Sequence, residues 1–358
     1  MSRTYPIATV GAVAIAIALA TPASAQEAVK ITFISGYPPA ATFVGGFVDG
    51  YMQAVDAALA KTGKYKIDWI LAHSGQVAKP RGELEAVQGG LGDIGPTIPP
   101  FHFDKVPLYK MPYVTPFTTN DVKVLSATLQ NLERTVPEYE KTWTSLNQKS
   151  LIVTSNVDNY VLASKRRVTK FADLKGMKIG GAGANLPWIA AAGGTGVSTT
   201  LTDMYNSLNT GIYEATIAWP QALGSFKLCE PAPYMLDASF GANSMLTLTV
   251  NLDSWKKWPE EVRNALTTAA PVYDRRQIEL LLEGDKAGIE KCQAQHKLTI
   301  DKLTPADVKA WAMALPPLGL EWAKEVDDKG QPGTKVLRSY MDAMRAAKQP
   351  VYRDWDKQ

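Results

Sequence analysis

The residues of this chain best suited to chemistry are amides, aromatics and one glycine-rich loop, not an array of acids, bases and nucleophiles. The loop reads Gly180-Gly181-Ala182-Gly183 and closes on Asn185 and Trp188. Backbone N–H groups gathered in such a loop, or at a helix start, hold an anion. Trp219 ends a later apolar run at 214–218. Tyr37, His73 and Gln76 follow two early runs of strand character, and Tyr113 lies in a proline-rich crossover. Asn156, Asn159 and Tyr160 sit at a strand junction, while Phe240 and Asn243 precede a late apolar strand. A mostly aromatic lining with a few placed polar groups encloses a small molecule without bonding to it. Each aromatic taken singly has an equally good use in the core, and the glycine loop an equally good use as a plain connection.

Nothing in the spacing points to catalysis. The chain has no G-x-S-x-G elbow, no H-E-x-x-H and no P-loop. The Gly-Gly-Ala-Gly loop lacks the third glycine opening a helix and the acidic partner of a dinucleotide site, so no such cofactor is expected. His73, His102 and His296 are far apart with no i, i+4 partner, so no metal is expected either. Thirty-eight basic against 35 acidic side chains give a formal charge of +3, and the longest basic run is Lys165-Arg166-Arg167. That scatter leaves no nucleic-acid footprint.

Stepping along the chain, 1–25 reads as a cleaved leader: Arg3, an apolar run at 7–20, then Ala23-Ser24-Ala25 before Gln26. The apolar run is shorter than the roughly 20 residues a membrane span needs. The mature chain is therefore expected to be exported to the periplasm and not itself membrane-spanning. Cys229 and Cys292 remain in that oxidising compartment. They either bridge or stay as two thiols, since sequence does not give the distance between them.

Strands are expected at 29–36, 66–71 and 93–95, with helices at 42–61 and 81–89 between them. That order predicts a parallel sheet whose strand ends face a crevice. Further strands are expected at 151–154, 160–164, 177–179, 214–218 and 245–251. Helical character from Pro259 toward His296 is broken only by Pro271, which leaves one long helix or two shorter ones. Terminal helices are expected at 304–314 and 335–347.

Several of these segments share one likeness. RGELEAVQGGLGDIG at 81–95 matches most fixed positions of R-E-x-x-x-x-V-Q-x-G-x-x-D-I-G, and MPYVTPF at 111–117 is similar to an apolar-Pro-Phe crossover. With FADLKGMKIGGAGAN at 171–185 and NSLNTGIYEATIAWP at 206–220, the chain resembles the substrate-binding proteins of TRAP transporters, the DctP-type family. The resemblance covers nearly the whole mature chain. It implies an α/β, two-lobed clamshell with mixed, mostly parallel sheets and a long helix spanning both lobes. Lobe I would be 26–152 plus 247–290 and lobe II 153–246 plus 291–358, closing about a hinge. It further implies a monomer that catalyses nothing, needs no cofactor, and delivers a small organic acid to a permease of one small and one large membrane subunit. In that family the strand here ending Lys178-Ile179-Gly180 usually ends in an arginine that clamps the substrate carboxylate; this chain has Gly180. Three repairs are open: backbone N–H groups at 180–183, another cation from Lys79, Arg81 or Arg166, or a less charged, aromatic or largely apolar cargo. Two other readings remain beside this one, a binding protein for an ATP-driven transporter and a periplasmic enzyme such as a hydrolase.

Overall fold

The computed structural model describes residues 1–2 and 26–358, so the expected leader lies, but for its first two residues, outside the described residues. Strands β1 (Glu27–Ile34), β2 (Tyr65–Ala72), β3 (Ile94–Thr97) and β4 (Gln148–Ser155) belong to a first sheet. A second sheet takes β5 (Val161–Ser164), β6 (Lys178–Gly181), β7 (Thr195–Ser198), β8 (Ala215–Ala218) and β9 (Tyr234–Asp237). The chain then returns β10 (Met245–Asn251) to the first sheet and β11 (Thr299–Lys302) to the second. The spatial orders are β2-β1-β3-β10-β4 and β11-β9-β5-β8-β6-β7.

Pairing is parallel within each run of crossover units and antiparallel wherever β10 or β5 is inserted. β10, MLTLTVN, is buried at every position, as a strand flanked on both edges and covered on both faces must be. The sequence expectation of a two-lobed α/β fold with mixed sheets therefore describes the structure. The short strands β7, β9 and β11 and the helices Pro137–Ser145 and Leu318–Asp328 were not expected; β7 (TGVS) and β11 (TIDK) are polar, half-exposed segments with no apolar run to mark them.

Three connections join the sheets. Residues 156–160 lead from β4 to β5, and 238–244 lead from β9 back to β10. These two crossings run side by side: Asn156 N–H donates to Ser244 O (3.3 Å) and Tyr160 N–H to Gly241 O (3.1 Å). The third connection is a helix, Glu260–His296, of 37 residues, and at 1.5 Å per residue it is about 55 Å long. Pro271 does not break it. Proline there removes the bond to the Thr267 carbonyl, and both residues are exposed, so water takes that carbonyl. The helix packs on the first lobe through Tyr273, whose hydroxyl donates to Phe43 O (3.0 Å). At its other end it meets the helix Pro220–Ser225 almost backbone to backbone: a Cβ on Gly224 would lie 2.5 Å from Gly288 Cα. A disulfide between Cys229 and Cys292 fixes the same corner.

Indole N–H groups pin the C-terminal segment to the helix Pro187–Ala190 and to the crossover at 107–116. Trp311 donates to Trp188 O (2.8 Å), Trp322 to Pro107 O (3.2 Å) and Trp355 to Pro116 O (2.8 Å).

Where crossing and long helix meet, the carboxyl groups of Asp158 and Asp285 lie side by side, and two buried carboxyls so placed are expected to hold one proton between them. Asp158 Oδ1 and Asp285 Oδ2 are buried without a hydrogen-bond partner, while Asp285 Oδ1 accepts the Gln221 N–H (2.6 Å). Burial, then the Asp158 carboxyl, pushes Asp285 up to about 10; burial also raises Asp158, with Asp237 adding to the push. A carboxyl raised in the folded state contributes most below its unfolded value of 3.8 and loses that contribution as pH climbs toward 10. The urea midpoint is therefore expected to fall from about pH 4 to about pH 10, and to fall less steeply in Asp285→Asn, whose amide supplies the donor permanently. Equal slopes in the two proteins would show that no proton is shared.

Candidate ligand cleft

The carboxyl ends of β1 and β3 in one lobe face those of β6, β7 and β8 in the other, and the cleft lies between them. On the first lobe, Gly36 ends the turn out of β1. A Cβ there would sit 2.2 Å from Pro80 N, so only glycine lets the loop before the helix Glu83–Gln88 lie flat against it. The buried Glu83 carboxylate then accepts the Gly36 N–H (2.9 Å), and burial pushes its pKa up to about 7. That packing holds Arg81 at φ +76°, a conformation that costs a non-glycine residue of order 1 kcal/mol. Its guanidinium rests 4.5 Å from the Phe101 ring centre and Nη2 donates across the lobes to Thr199 O (2.9 Å). Arg81 Nε is buried without a partner. Tyr37 meets Phe43 edge to face at 5.3 Å and both face the cleft.

On the second lobe β6 ends at Gly180 and Gly181. A Cβ on Gly180 would stand 2.6 Å from Tyr213 Cζ, so a tyrosine ring fills the space an arginine side chain would leave by. Asn185 Oδ1 accepts the Ala182 N–H (3.0 Å), which fixes the amide and leaves its Nδ2 buried and unpaired. Thr199 N–H donates to Gly181 O (2.8 Å), placing Thr199, Arg81 and the Asn185 turn in one corner. Leu201 and Met204, from the helix Leu201–Thr210, and Ile217 and Trp219, from β8 and just past its end, complete this wall. The Trp219 indole N–H donates to Gln221 Oε1 (3.1 Å).

The floor belongs to the hinge. Tyr113 and Tyr160 hydroxyls lie 2.7 Å apart, beside Asn156, Val157 and Ser244. Trp188 stacks behind Tyr113 at 5.6 Å and donates its indole N–H to Tyr113 O (2.9 Å). The space between these walls measures about 510 Å³ with the open solvent at its mouth included.

Of the residues singled out from sequence, Tyr37, Tyr113, Asn156, Tyr160, Asn185 and Trp219 line this cleft together. Gly180, Trp188 and Phe240 stand one layer behind it, Phe240 at 5.5 Å from Trp188. Asn159 and Asn243 brace the crossings instead: Asn159 Nδ2 donates to Asp237 Oδ1 (2.9 Å) and Asn243 Nδ2 to Phe240 O (2.6 Å). His73 and Gln76 lie in the loop after β2, an edge strand, where His73 Nδ1 is 2.9 Å from Ser74 Oγ, and neither lines the cleft. Among the candidate cations, Arg166 is engaged by Asp173 O (2.8 Å) and Glu214 (3.7 Å), and Lys79 lies against Gly75. Only Arg81 of the three touches cleft-lining residues. Phe43, Ile98, Phe101, Thr199, Leu201, Met204 and Ser244 were not singled out. Two groups of them, 98–101 and 199–204, directly follow β3 and β7, so the strand-end rule finds them once those strands are placed. Among the described residues, no three His, Cys, Asp or Glu side chains gather as a metal site.

The sequence model for bacterial extracellular solute-binding proteins, family 7 (DctP), matches residues 51–325. A TRAP solute-binding protein from Rhodoferax ferrireducens in complex with copurified benzoate superposes with TM-score 0.78 at 18% identity, over 89% of this chain and 98% of that one. A marine metagenome TRAP solute-binding protein specific for aromatic acid ligands, in complex with 3-hydroxybenzoate, gives 0.76 at 20% identity over 90% and 99%. A Bordetella bronchiseptica TRAP periplasmic solute-binding protein with bound (R)- and (S)-mandelate gives 0.76 at 18% over 89% and 99%. At these identities the likeness establishes the fold.

Tyr213 makes Gly180 a packing requirement. Gly180→Arg is expected to lower unfolding stability by about 2–3 kcal/mol through overpacking. In a Tyr213→Ala background the same change should cost less than half as much, read from a double-mutant cycle in urea. Additive costs would mean that Tyr213 is not what excludes a side chain there.

Proposed function

This chain belongs to the bacterial extracellular solute-binding proteins, family 7, and from that premise we propose that it captures a small organic acid between its lobes and passes it unchanged to a TRAP permease. The observation that carries the reading is Arg81, strained in its backbone and reaching from one lobe to Thr199 of the other beside a cleft walled by aromatics. A guanidinium takes a carboxylate through two N–H groups at once, and does so most strongly away from water. Arg81 therefore replaces the missing strand-end arginine, with Asn185 Nδ2 as a second donor in the same corner. Tyr37, Phe43 and Phe101 face Ile217 and Trp219 across the space left for the body of the acid. Such walls suit an aromatic or largely apolar acid; a sugar acid needs far more hydrogen-bond partners. The benzoate, hydroxybenzoate and mandelate carried by proteins of the same fold support that choice.

The rest of the reading follows from the family. The lobes close about the paired crossings 156–160 and 238–244, so the bounds 26–152 plus 247–290 and 153–246 plus 291–358 expected from sequence shift by a few residues to keep β4 and β10 whole in the first lobe. The protein works as a monomer in the periplasm after losing 1–25, and its partners are the small and large membrane subunits of an ion-driven permease. Among the described residues no helix is long and apolar enough to cross a membrane. Neither the ATP-driven transporter nor the hydrolase reading gains support from the family match.

Native mass spectrometry of the purified protein and a thermal-shift screen of aromatic acids test the reading, because a ligand that binds only the folded state raises the melting temperature. Arg81→Gly is the discriminating variant: glycine accepts the positive φ without strain, so the melting temperature of the free protein should stay within a few degrees. Affinity for benzoate should fall by roughly tenfold to a hundredfold, the value of a charged hydrogen bond. Unchanged affinity would remove Arg81 from the site, and turnover of a bound acid would sink the transport reading.

A further inference from the structure

The cleft contains a polar group that neither its walls nor the carboxylate corner uses. Asn156 is the first residue after β4, where the chain leaves the first sheet, and only 6% of it is exposed. Its backbone N–H is spent on Ser244 O, yet its side-chain Oδ1 is buried with no donor, and the residue lines the cleft floor. The nearby hydroxyls do not serve it: Tyr113 and Tyr160 lie 2.7 Å from each other, and neither bonds to Asn156 Oδ1. A buried amide left unpaired is costly, and closing the lobes on a wholly apolar ring would leave it so.

Resting on the acid-binding reading above, we infer that Asn156 reads a hydroxyl on the ligand, so that the cargo is a hydroxylated aromatic acid rather than its unsubstituted parent. A hydroxyl fits the position better than a second carboxylate or an amine. It donates to Oδ1 as the amide stands, and it would accept from the NH₂ if the amide were turned over. A charged group there would meet the buried tyrosine floor with no counter-ion among the lining side chains. Carboxylate and hydroxyl are thereby read by separate groups, Arg81 with Asn185 in one corner and Asn156 at the hinge. Sites built around a hydrogen bond to a substrate hydroxyl reject the analogue lacking it far more strongly than apolar pockets reject an extra group.

Calorimetric titration with matched acids decides the question on the unaltered protein: benzoate against its 2-, 3- and 4-hydroxy derivatives, and phenylacetate against mandelate. At least one hydroxylated acid is expected to bind tenfold or more tightly than its parent. Asn156→Leu, apolar and of similar size, should erase that advantage, read as the ratio of the hydroxylated acid's affinity to its parent's in the same variant protein. Parents binding as tightly as every hydroxylated partner would overturn the inference and leave the acid-binding reading standing. An advantage that survives Asn156→Leu would overturn the role of Asn156. Should no acid of either kind bind or copurify, the acid reading falls and this inference with it.

Discussion

The backbone hydrogen bonds between the two crossings are the constraint on which the rest of this architecture depends. Asn156 N–H to Ser244 O and Tyr160 N–H to Gly241 O lock two outgoing and returning segments side by side. A single strand between the lobes would leave these groups to water and let the lobes twist freely. A paired ribbon restricts the motion to bending about one line. The same ribbon supplies the floor of the cleft, so the groups that would touch a ligand and those that would flex are neighbours in sequence.

Each lobe contributes a different kind of group to the cleft because each ends its strands differently. In the first, a glycine and a buried glutamate press a loop down until one arginine is forced outward at positive φ. In the second, Tyr213 fills the place beside β6, and the strand end becomes a turn held by Asn185. On the proposed reading, the cation that meets the ligand has moved from the strand to a loop in the opposite lobe. An anchor that reaches across the gap makes its best contact only when the lobes are together, which links charge recognition to closure.

Long strands are the legible part of this fold. β1 and β2 alternate apolar and polar residues at 29–33 and 65–69, β10 is rich in Leu, Thr and Val, and the glycine stop at 211 marks a helix end at φ +77°. The single helix through Pro271 was not decidable, because whether a freed carbonyl meets water or protein is a tertiary fact. Residues at the ends of interior strands, such as Trp219, come to the cleft. His73 and Gln76 follow a strand with the same local signal but lie outside the cleft, whereas Thr199 after the equally peripheral β7 lines it; which strand ends converge is a tertiary fact not written in any one segment. Arg81 is one of three cations the sequence offers, and what sets it apart from Lys79 and Arg166 is the meeting of Gly36 with Pro80 and Glu83, far apart in sequence and close in space.

The placement of β10 has a consequence for when the molecule can exist. That strand sits between β3 and β4, yet it follows the entire run from β5 to β9 along the chain. Until Asn251 is available, β4 has no neighbour in its sheet and the first lobe stays unfinished. Contacts of such wide separation close late. A polypeptide threaded through a membrane from its N-terminus would thus remain unable to lock prematurely on the near side, its own topology serving as the timer.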